Sequence, residues 1–223
     1  YSVVVRVQML AELEEIIDYK KCNDQPERQA LIRKTWMKRL KGCQRNVEVW
    51  QRILNVRSSV VSPTEDMQMW IKFAGLCRKS GRLAVAERTL AELIGNDSLD
   101  DALPEATPPQ ITYASLKLMW ASGAREEALG QLRDFNERLT TLVSQAPSDN
   151  AQHRQETPDV AGLRHLLSRC YLKQGAWQMA LQDEWNEDTI SDVLRSYFLA
   201  THYDSDSYKA WHSWSLSNFE VIS

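Results

Sequence analysis

The amino-acid sequence predicts an all-α chain built as an irregular solenoid of helical hairpins. Apolar residues recur with the 3.6-residue period of amphipathic helices along almost the whole chain. Only 8 glycines and 7 prolines interrupt the 223 residues, and no segment has the alternating pattern of a strand. A short motif, glycine followed five positions later by alanine, occurs three times where one predicted helix meets the next. Together these features favour helix-on-helix packing.

The individual helices follow from the apolar stripes and from the residues that end them. Ser62-Pro63-Thr64-Glu65 predicts the start of the fourth helix, because Ser caps the first turn, Pro fits the first helical position and Glu reaches back to the cap. Gly42, Gly81 and Gly95 predict helix ends. Flexible polar loops are predicted near 96–108 and 144–158. The predicted helices span about 5–19, 27–42, 47–56, 63–80, 83–94, 109–122, 125–143, 160–173, 176–182, 189–202 and 207–221.

The repeated motif begins at Gly81, Gly123 and Gly175. Glycine permits a sharp turn between helices, and the alanine lets the second helix pack closely on the first. The pattern resembles the turn of tetratricopeptide-like hairpins. The motifs are 42 and 52 residues apart, which is longer and less regular than a strict 34-residue repeat. We therefore expect an irregular tetratricopeptide-like array with insertions in its loops.

Composition excludes several classes of protein. The net charge is −3, from 27 basic and 30 acidic residues, so no overall positive field favours direct nucleic-acid binding. No apolar run approaches the roughly 18 residues that a transmembrane segment needs. The four cysteines form no CxxC pair, which favours reduced core thiols in an intracellular protein. Tyr1 and Ser223 look like cuts inside a longer chain.

Motifs for catalysis and metal binding are missing from the sequence. It contains no glycine-rich phosphate loop, no HExxH or GxSxG motif and no kinase catalytic loop. His165 and Cys170 are five residues apart on one predicted helix, a poor spacing for a shared metal. The acidic residues of the first helix, Glu12, Glu14 and Glu15, are interpreted as a solvated face. Three tryptophans are interpreted as packing between helices, namely Trp36, Trp50 and Trp70.

Basic residues form the one pattern that suggests a ligand. Lys79 and Lys173 each precede a repeat glycine by two residues, and Lys72 and Arg169 share a helix face with them. If the hairpins stack in register, these positions line one wall of the solenoid. Cations near helix C-termini are also favoured by the helix dipole, so an anion site and ordinary helix-end charges both remain open. Arg45 and Lys209, near predicted helix starts, are further candidates.

Specific strings of residues resemble the FAT domain of target-of-rapamycin kinases, which belong to the phosphatidylinositol-3-kinase-related protein kinases. The resemblance covers nearly the whole chain and weakens in 96–110 and 140–160. The strings are 9–15 (MLAELEE), 19–20 (YK), 42–45 (GCQR), 60–63 (VVSP), 79–84 (KSGRLA), 112–114 (TYA), 208–214 (YKAWHSW) and 218–220 (NFE).

The resemblance implies that residues 1–223 are part of one FAT-type helical-repeat domain, a regulatory scaffold that clamps and supports a kinase domain. The catalytic domain would lie further toward the C-terminus of a Ser/Thr kinase that controls growth, so no activity is expected here. The implied partners are the kinase domain and flanking helical regions of the same parent chain, and the subunits and regulators of its complexes. The implied location is the cytoplasm, with the parent peripheral on lysosomal or vacuolar membranes.

The resemblance also implies a structural ligand, an inositol polyphosphate such as inositol hexakisphosphate, and no catalytic cofactor. A further basic position of the family, after Met119-Trp120, is Ala121 in this chain, which leaves fewer phosphate contacts. The matching basic positions are Arg45, Lys72, Lys79, Arg169, Lys173 and Lys209.

Two other classes of protein are the alternatives. An independent tetratricopeptide-like adaptor that binds peptide segments of partner proteins would have a regular 34-residue period. An RNA-binding helical repeat would have a repeated base-reading position and a basic surface. Neither pattern is present in the sequence.

Overall fold

The computed structural model describes residues 2–95, 107–145, 158–182 and 186–222, and all regular elements in these ranges are α-helices. The all-α prediction is confirmed. Most of the predicted loops at 96–108 and 144–158 lie outside the described residues. The helices are α1 (Ser2–Lys21), α2 (Pro26–Gly42), α3 (Val47–Arg57), α4 (Met67–Lys79), α5 (Leu83–Ile94), α6 (Pro109–Ser122), α7 (Arg125–Gln145), α8 (Pro158–Leu181), α9 (Glu187–Tyr203) and α10 (Tyr208–Ile222).

The chain divides into two compact units. Unit 1 is Tyr1–Leu118 and unit 2 is Met119–Ser223, so the division falls within α6. In unit 1, α4 packs on α3 and α5; in unit 2, α8 packs on α7 and α9. Consecutive helices therefore supply the packing partners, as expected for a helical-repeat protein.

Large apolar side chains from α2 to α6 make the main core of unit 1. Because these helices are amphipathic, each turns one apolar face inward and leaves a polar face in solvent. Trp36, Trp50 and Trp70 are at most 7% exposed, which confirms the packing interpretation of the tryptophans. The fully buried members of the cluster include Leu40, Ile53, Met69, Phe73 and Leu90.

Acidic residues of α1 attach this helix to α2 and α3. Glu12 is completely buried and receives two hydrogen bonds from the Arg57 guanidinium of α3, at 3.0 and 2.7 Å. Glu15 accepts from Arg39 at 2.6 and 2.7 Å and from the Trp36 indole at 2.7 Å. The prediction of a solvated acidic face is thus wrong for Glu12 and Glu15. Sequence spacing within one helix does not reveal an arginine that comes 45 residues later.

Burial and hydrogen bonding act in opposite directions on Glu15. Burial raises the pKa of the Glu15 carboxyl, but the hydrogen bonds from Arg39 and Trp36 outweigh it, so this pKa lies below its usual value. The carboxylate form is therefore the one that holds α1 against α2. This contribution to stability is present above the unfolded pKa and is lost as the pH falls through the folded pKa.

The start of α4 differs from the prediction by four residues. Ser62 and Glu65 do exchange the expected hydrogen bonds, from Ser62 N to Glu65 Oε2 at 3.0 Å and from Glu65 N to Ser62 Oγ at 3.3 Å. These bonds close a separate turn over 63–66. Asp66 then has φ −105° and ψ 30°, outside helical values, so the regular helix begins only at Met67.

Two of the three repeat glycines make the predicted turns. Gly81 (φ 76°) separates α4 from α5, and Gly123 (φ 109°) separates α6 from α7. Both are in the left-handed region, which glycine adopts without steric cost. The alanines of these motifs, Ala86 and Ala128, are at most 1% exposed, as close helix packing requires.

Gly175 has a different role, and the prediction of two helices at 160–173 and 176–182 is wrong. Helix α8 continues without a break from Pro158 to Leu181. A Cβ atom added at Gly175 would lie 2.7 Å from the Tyr197 ring of α9, so glycine here permits close contact between two helices. Ala180, the last residue of this motif, is exposed. Residues 175–180 therefore match the sequence motif but do not form its turn between two helices.

Gly175→Ala should destabilise the chain, whereas Gly162→Ala in the same helix should stabilise it. Alanine is favoured over glycine in a helix by about 1 kcal/mol, and Gly162 is exposed with nothing within 4 Å of an added Cβ. At Gly175 the clash with the buried Tyr197 ring should exceed that gain, for a net loss of about 1–2 kcal/mol. Urea denaturation measures both variants, and an equal gain in both would contradict the close contact.

Candidate functional site

Three of the six predicted ligand residues lie in unit 1. Arg45 lies in the connection between α2 and α3, Lys72 lies in the second turn of α4, and Lys79 is the last residue of α4. All three side chains are exposed, and none forms an ion pair with another part of the chain that the structure describes. Lys72 and Lys79 are seven residues apart, so they share one face of α4.

Lys41, which the sequence analysis did not single out, lies beside Lys72. Burial and the neighbouring Lys41 ammonium together lower the pKa of Lys72, while Asp66 partly offsets them. Lys41 is the penultimate residue of α2, four residues before Arg45, and its own side chain is exposed. A lysine in the last turn of a helix is common, so its position alone gave no signal. Two adjacent ammonium groups are the electrostatic setting that a bound anion relieves.

The other three predicted residues lie in unit 2. Arg169 and Lys173 are on α8, and Lys209 is the second residue of α10. Arg169 and Lys209 are exposed and Lys173 is half-buried. Because α8 runs on to Leu181, Lys173 lies inside a helix and not at its end, so the predicted equivalence of Lys79 and Lys173 as helix-end residues is wrong.

Lys173 lies near one ring of a stacked tryptophan pair. Its Nζ lies 6.0 Å from the centroid of the Trp177 ring. Trp177 stacks on Trp120 with centroids 4.4 Å apart and planes 4° from parallel, and Arg125 lies 5.6 Å from the Trp120 ring. Cations over aromatic faces gain electrostatic attraction, so Trp177 favours this position of the Lys173 ammonium group. Ala121, next to Trp120, is exposed.

The structure thus places Arg45, Lys72 and Lys79 in one unit and Arg169, Lys173 and Lys209 in the other. A single pocket formed by all six side chains stays a prediction.

Reactive groups offer no competing site in the described ranges. No group of three His, Cys, Asp or Glu side chains there could hold a metal ion. His165, whose spacing from Cys170 did not favour a shared metal, contacts Asp204 at 2.7 Å. Burial raises the pKa of the Cys43 and Cys77 thiols, so they are protonated and weakly nucleophilic at neutral pH. None of the described helices has the length and apolar character needed to cross a bilayer.

Comparison with known proteins covers the whole chain. A family model for the FAT domain matches residues 1–223. Serine/threonine-protein kinase TOR2 of Saccharomyces cerevisiae is 46% identical over 230 residues, which is 100% of this chain and 9% of that protein. Serine/threonine-protein kinase tor1 of Schizosaccharomyces pombe is 40% identical over 229 residues, 100% of this chain and 10% of that protein. Serine/threonine-protein kinase mTor of Drosophila melanogaster is 42% identical over 225 residues, 100% of this chain and 9% of that protein. The chain thus spans at most 10% of the length of these relatives.

Lys41→Gln should raise the pKa of Lys72 toward its usual value and stabilise the unliganded chain. The lowered pKa means that folding disfavours the charged form of Lys72. The resulting loss of stability is fully present below the folded pKa, and it disappears as the pH rises from the folded pKa to the unfolded pKa. Because both side chains are exposed, we expect a gain of at most about 0.5 kcal/mol at neutral pH.

High salt should remove this gain, because about 1 M salt screens charges beyond roughly 3 Å. The control is Lys38→Gln, an exposed lysine one turn earlier on α2. Thermal unfolding at low and high salt measures the stability, and ¹⁵N NMR of the lysine Nζ groups measures the pKa. Equal effects of the two variants at low salt would contradict the Lys41–Lys72 contact.

Proposed function

Because the chain belongs to the FAT domain family, we propose that it is a non-catalytic regulatory scaffold segment of a target-of-rapamycin Ser/Thr protein kinase. The observation that carries this proposal is the match of all 223 residues to the FAT domain, together with 46% identity to a TOR kinase along the whole chain. The kinase domain lies outside these residues. No specific observation favours the independent peptide-binding adaptor over this role.

The proposed scaffold acts by packing against the rest of the parent chain. Units 1 and 2 would be parts of one FAT-type helical-repeat domain that clamps and supports the kinase domain. Its partners would be that domain, the flanking helical regions and the subunits and regulators of the kinase complex. Exposed apolar side chains on α1 and α10 support such contacts, since large apolar side chains left in water are typical of interaction surfaces. They include Val3 (69% exposed), Leu10 (63%), Tyr208 (77%) and Phe219 (69%).

The proposed location is supported by the same family membership. The segment would act in the cytoplasm in growth signalling, with its parent held peripherally on lysosomal or vacuolar membranes. No catalytic cofactor is proposed for it.

An inositol polyphosphate is the proposed structural ligand of the six basic residues. Arginine guanidinium groups and lysine ammonium groups neutralise a dense polyanion. Their contacts with one ligand hold together the helices that carry them. Lys72 is exposed, forms no ion pair with any residue that the structure describes and has Lys41 beside it, which supports this ligand. The Trp177 ring near Lys173 supports it as well. Binding to the folded chain alone would raise its stability through linkage.

Calorimetric titration with inositol hexakisphosphate tests the ligand. We expect Lys79→Glu combined with Lys173→Glu to weaken binding by at least about a hundredfold, since each reversed charge should cost about 1.4 kcal/mol or more.

The matched control is Lys20→Glu combined with Arg138→Glu, which changes the charge equally at exposed positions outside the set. This control should change the affinity several-fold at most. If the two double variants lost affinity equally, the binding would depend only on the overall charge of the chain. That result would contradict the six-residue site.

A further inference from the structure

A pair of stacked indole rings lies next to one of the predicted ligand residues in unit 2. The Trp120 and Trp177 rings are parallel within 4°, with centroids 4.4 Å apart. Trp120 is in the last turn of α6 and Trp177 is in α8, so the two rings join these helices. The Cζ atom of Arg125, the first residue of α7, lies 5.6 Å from the Trp120 ring. Side chains from three helices therefore meet at the two rings.

Lys173 lies one turn before Trp177 on the same face of α8, because residues four apart in a helix are neighbours. Its Nζ atom is 6.0 Å from the centroid of the Trp177 ring. Trp177 is 3% exposed, whereas Lys173 is half-buried. An ammonium group over an indole is attracted by the negative face of the ring. Since stacking and burial hold the indole in place, it offers a fixed point to a flexible lysine side chain.

This attraction bears on the cost of binding an anion. Fixing a flexible lysine side chain on a ligand costs conformational entropy. A ligand that needs one arrangement of Lys173 binds less tightly in proportion to the fraction of molecules that lack it. An indole that favours one position of the ammonium group raises the competent fraction before the ligand arrives. The gain is about two- to fivefold, which is the preference that one cation–π contact at a partly exposed site supplies.

We propose that Trp177 is the positioning residue of Lys173 in the anion site, and that Trp120 holds the Trp177 ring in place. This inference rests on the proposed inositol polyphosphate ligand, to which Lys173 contributes one ammonium group. Trp177 is buried and acts on the ligand through Lys173 alone. Its effect on affinity should therefore disappear when the Lys173 ammonium group is removed, which a purely structural effect of the indole would not do.

A double-mutant cycle on the 223-residue chain tests this role. Calorimetry with inositol hexakisphosphate measures the affinity of the wild type, Trp177→Leu, Lys173→Gln and the double variant. We expect Trp177→Leu to weaken binding about threefold, which corresponds to about 0.65 kcal/mol, and to have no further effect in the Lys173→Gln chain. Trp177→Phe keeps an aromatic face beside Lys173, so it should retain more of the affinity than Trp177→Leu.

A packing control separates loss of the indole from general loss of core contacts. Leu167→Ala removes a fully buried side chain on a different face of α8, so it should lower the melting temperature and leave the affinity unchanged. Thermal unfolding identifies the temperatures at which every variant is folded, and the titrations are made there. If Trp177→Leu does not fold, Trp120→Leu takes its place in the cycle, because it removes the stacking partner at a half-buried position.

Three results would overturn the role of Trp177 and leave the ligand site standing. One is unchanged affinity in the tryptophan variant. The second is an equal loss with and without Lys173, or in Leu167→Ala, which would indicate a change in packing only. The third is tighter binding in Trp177→Leu, because the indole would then compete with the ligand for the ammonium group. Absence of binding by the wild type, or full affinity in Lys173→Gln, would instead contradict the proposed ligand site, and this inference with it.

Discussion

The structure depends on the burial of each helix's apolar face against its neighbours in the chain. Without a sheet in the described ranges, helix-to-helix contact is the way these segments remove apolar surface from water. Residues such as Leu40, Phe73 and Leu167, at most 1% exposed, carry that burial. The same architecture explains why glycine is decisive at Gly175, where two helices meet too closely for a Cβ atom.

Charge is used in two different ways on this framework. Inside unit 1, the Glu12–Arg57 pair is buried and fixes α1 against α3, where loss of either partner would leave a costly unpaired charge. On the surface, the cations Lys41 and Lys72 lie side by side, and their repulsion lowers the pKa of Lys72 together with burial. The buried pair therefore fixes helix positions, whereas the surface pair carries unneutralised positive charge.

Most of the fold was predictable because local rules set helix ends. Gly81 and Gly123 stop helices through their own backbone conformations, which neighbouring residues reveal. Gly175 has the same motif, but its role depends on Tyr197, 22 residues later, so local pattern gave the wrong answer. Similarly, Arg57 draws Glu12 into the core from a distant helix. For the candidate site, sequence selected Lys72 but not Lys41, because only the packing of α2 near α4 brings the two ammonium groups together.

The most direct measurement is the kinase activity of the full-length parent protein with its helix packing altered in this segment. Ala200→Leu would overpack the buried contact where the Ala200 carbonyl accepts from Ser168 at 2.7 Å, and Ala161→Leu makes the same change at an exposed site of α8. The account predicts a lower kcat toward a peptide substrate, with a lower melting temperature, for Ala200→Leu alone. Full activity of the Ala200→Leu parent despite a lowered melting temperature would contradict a supporting role.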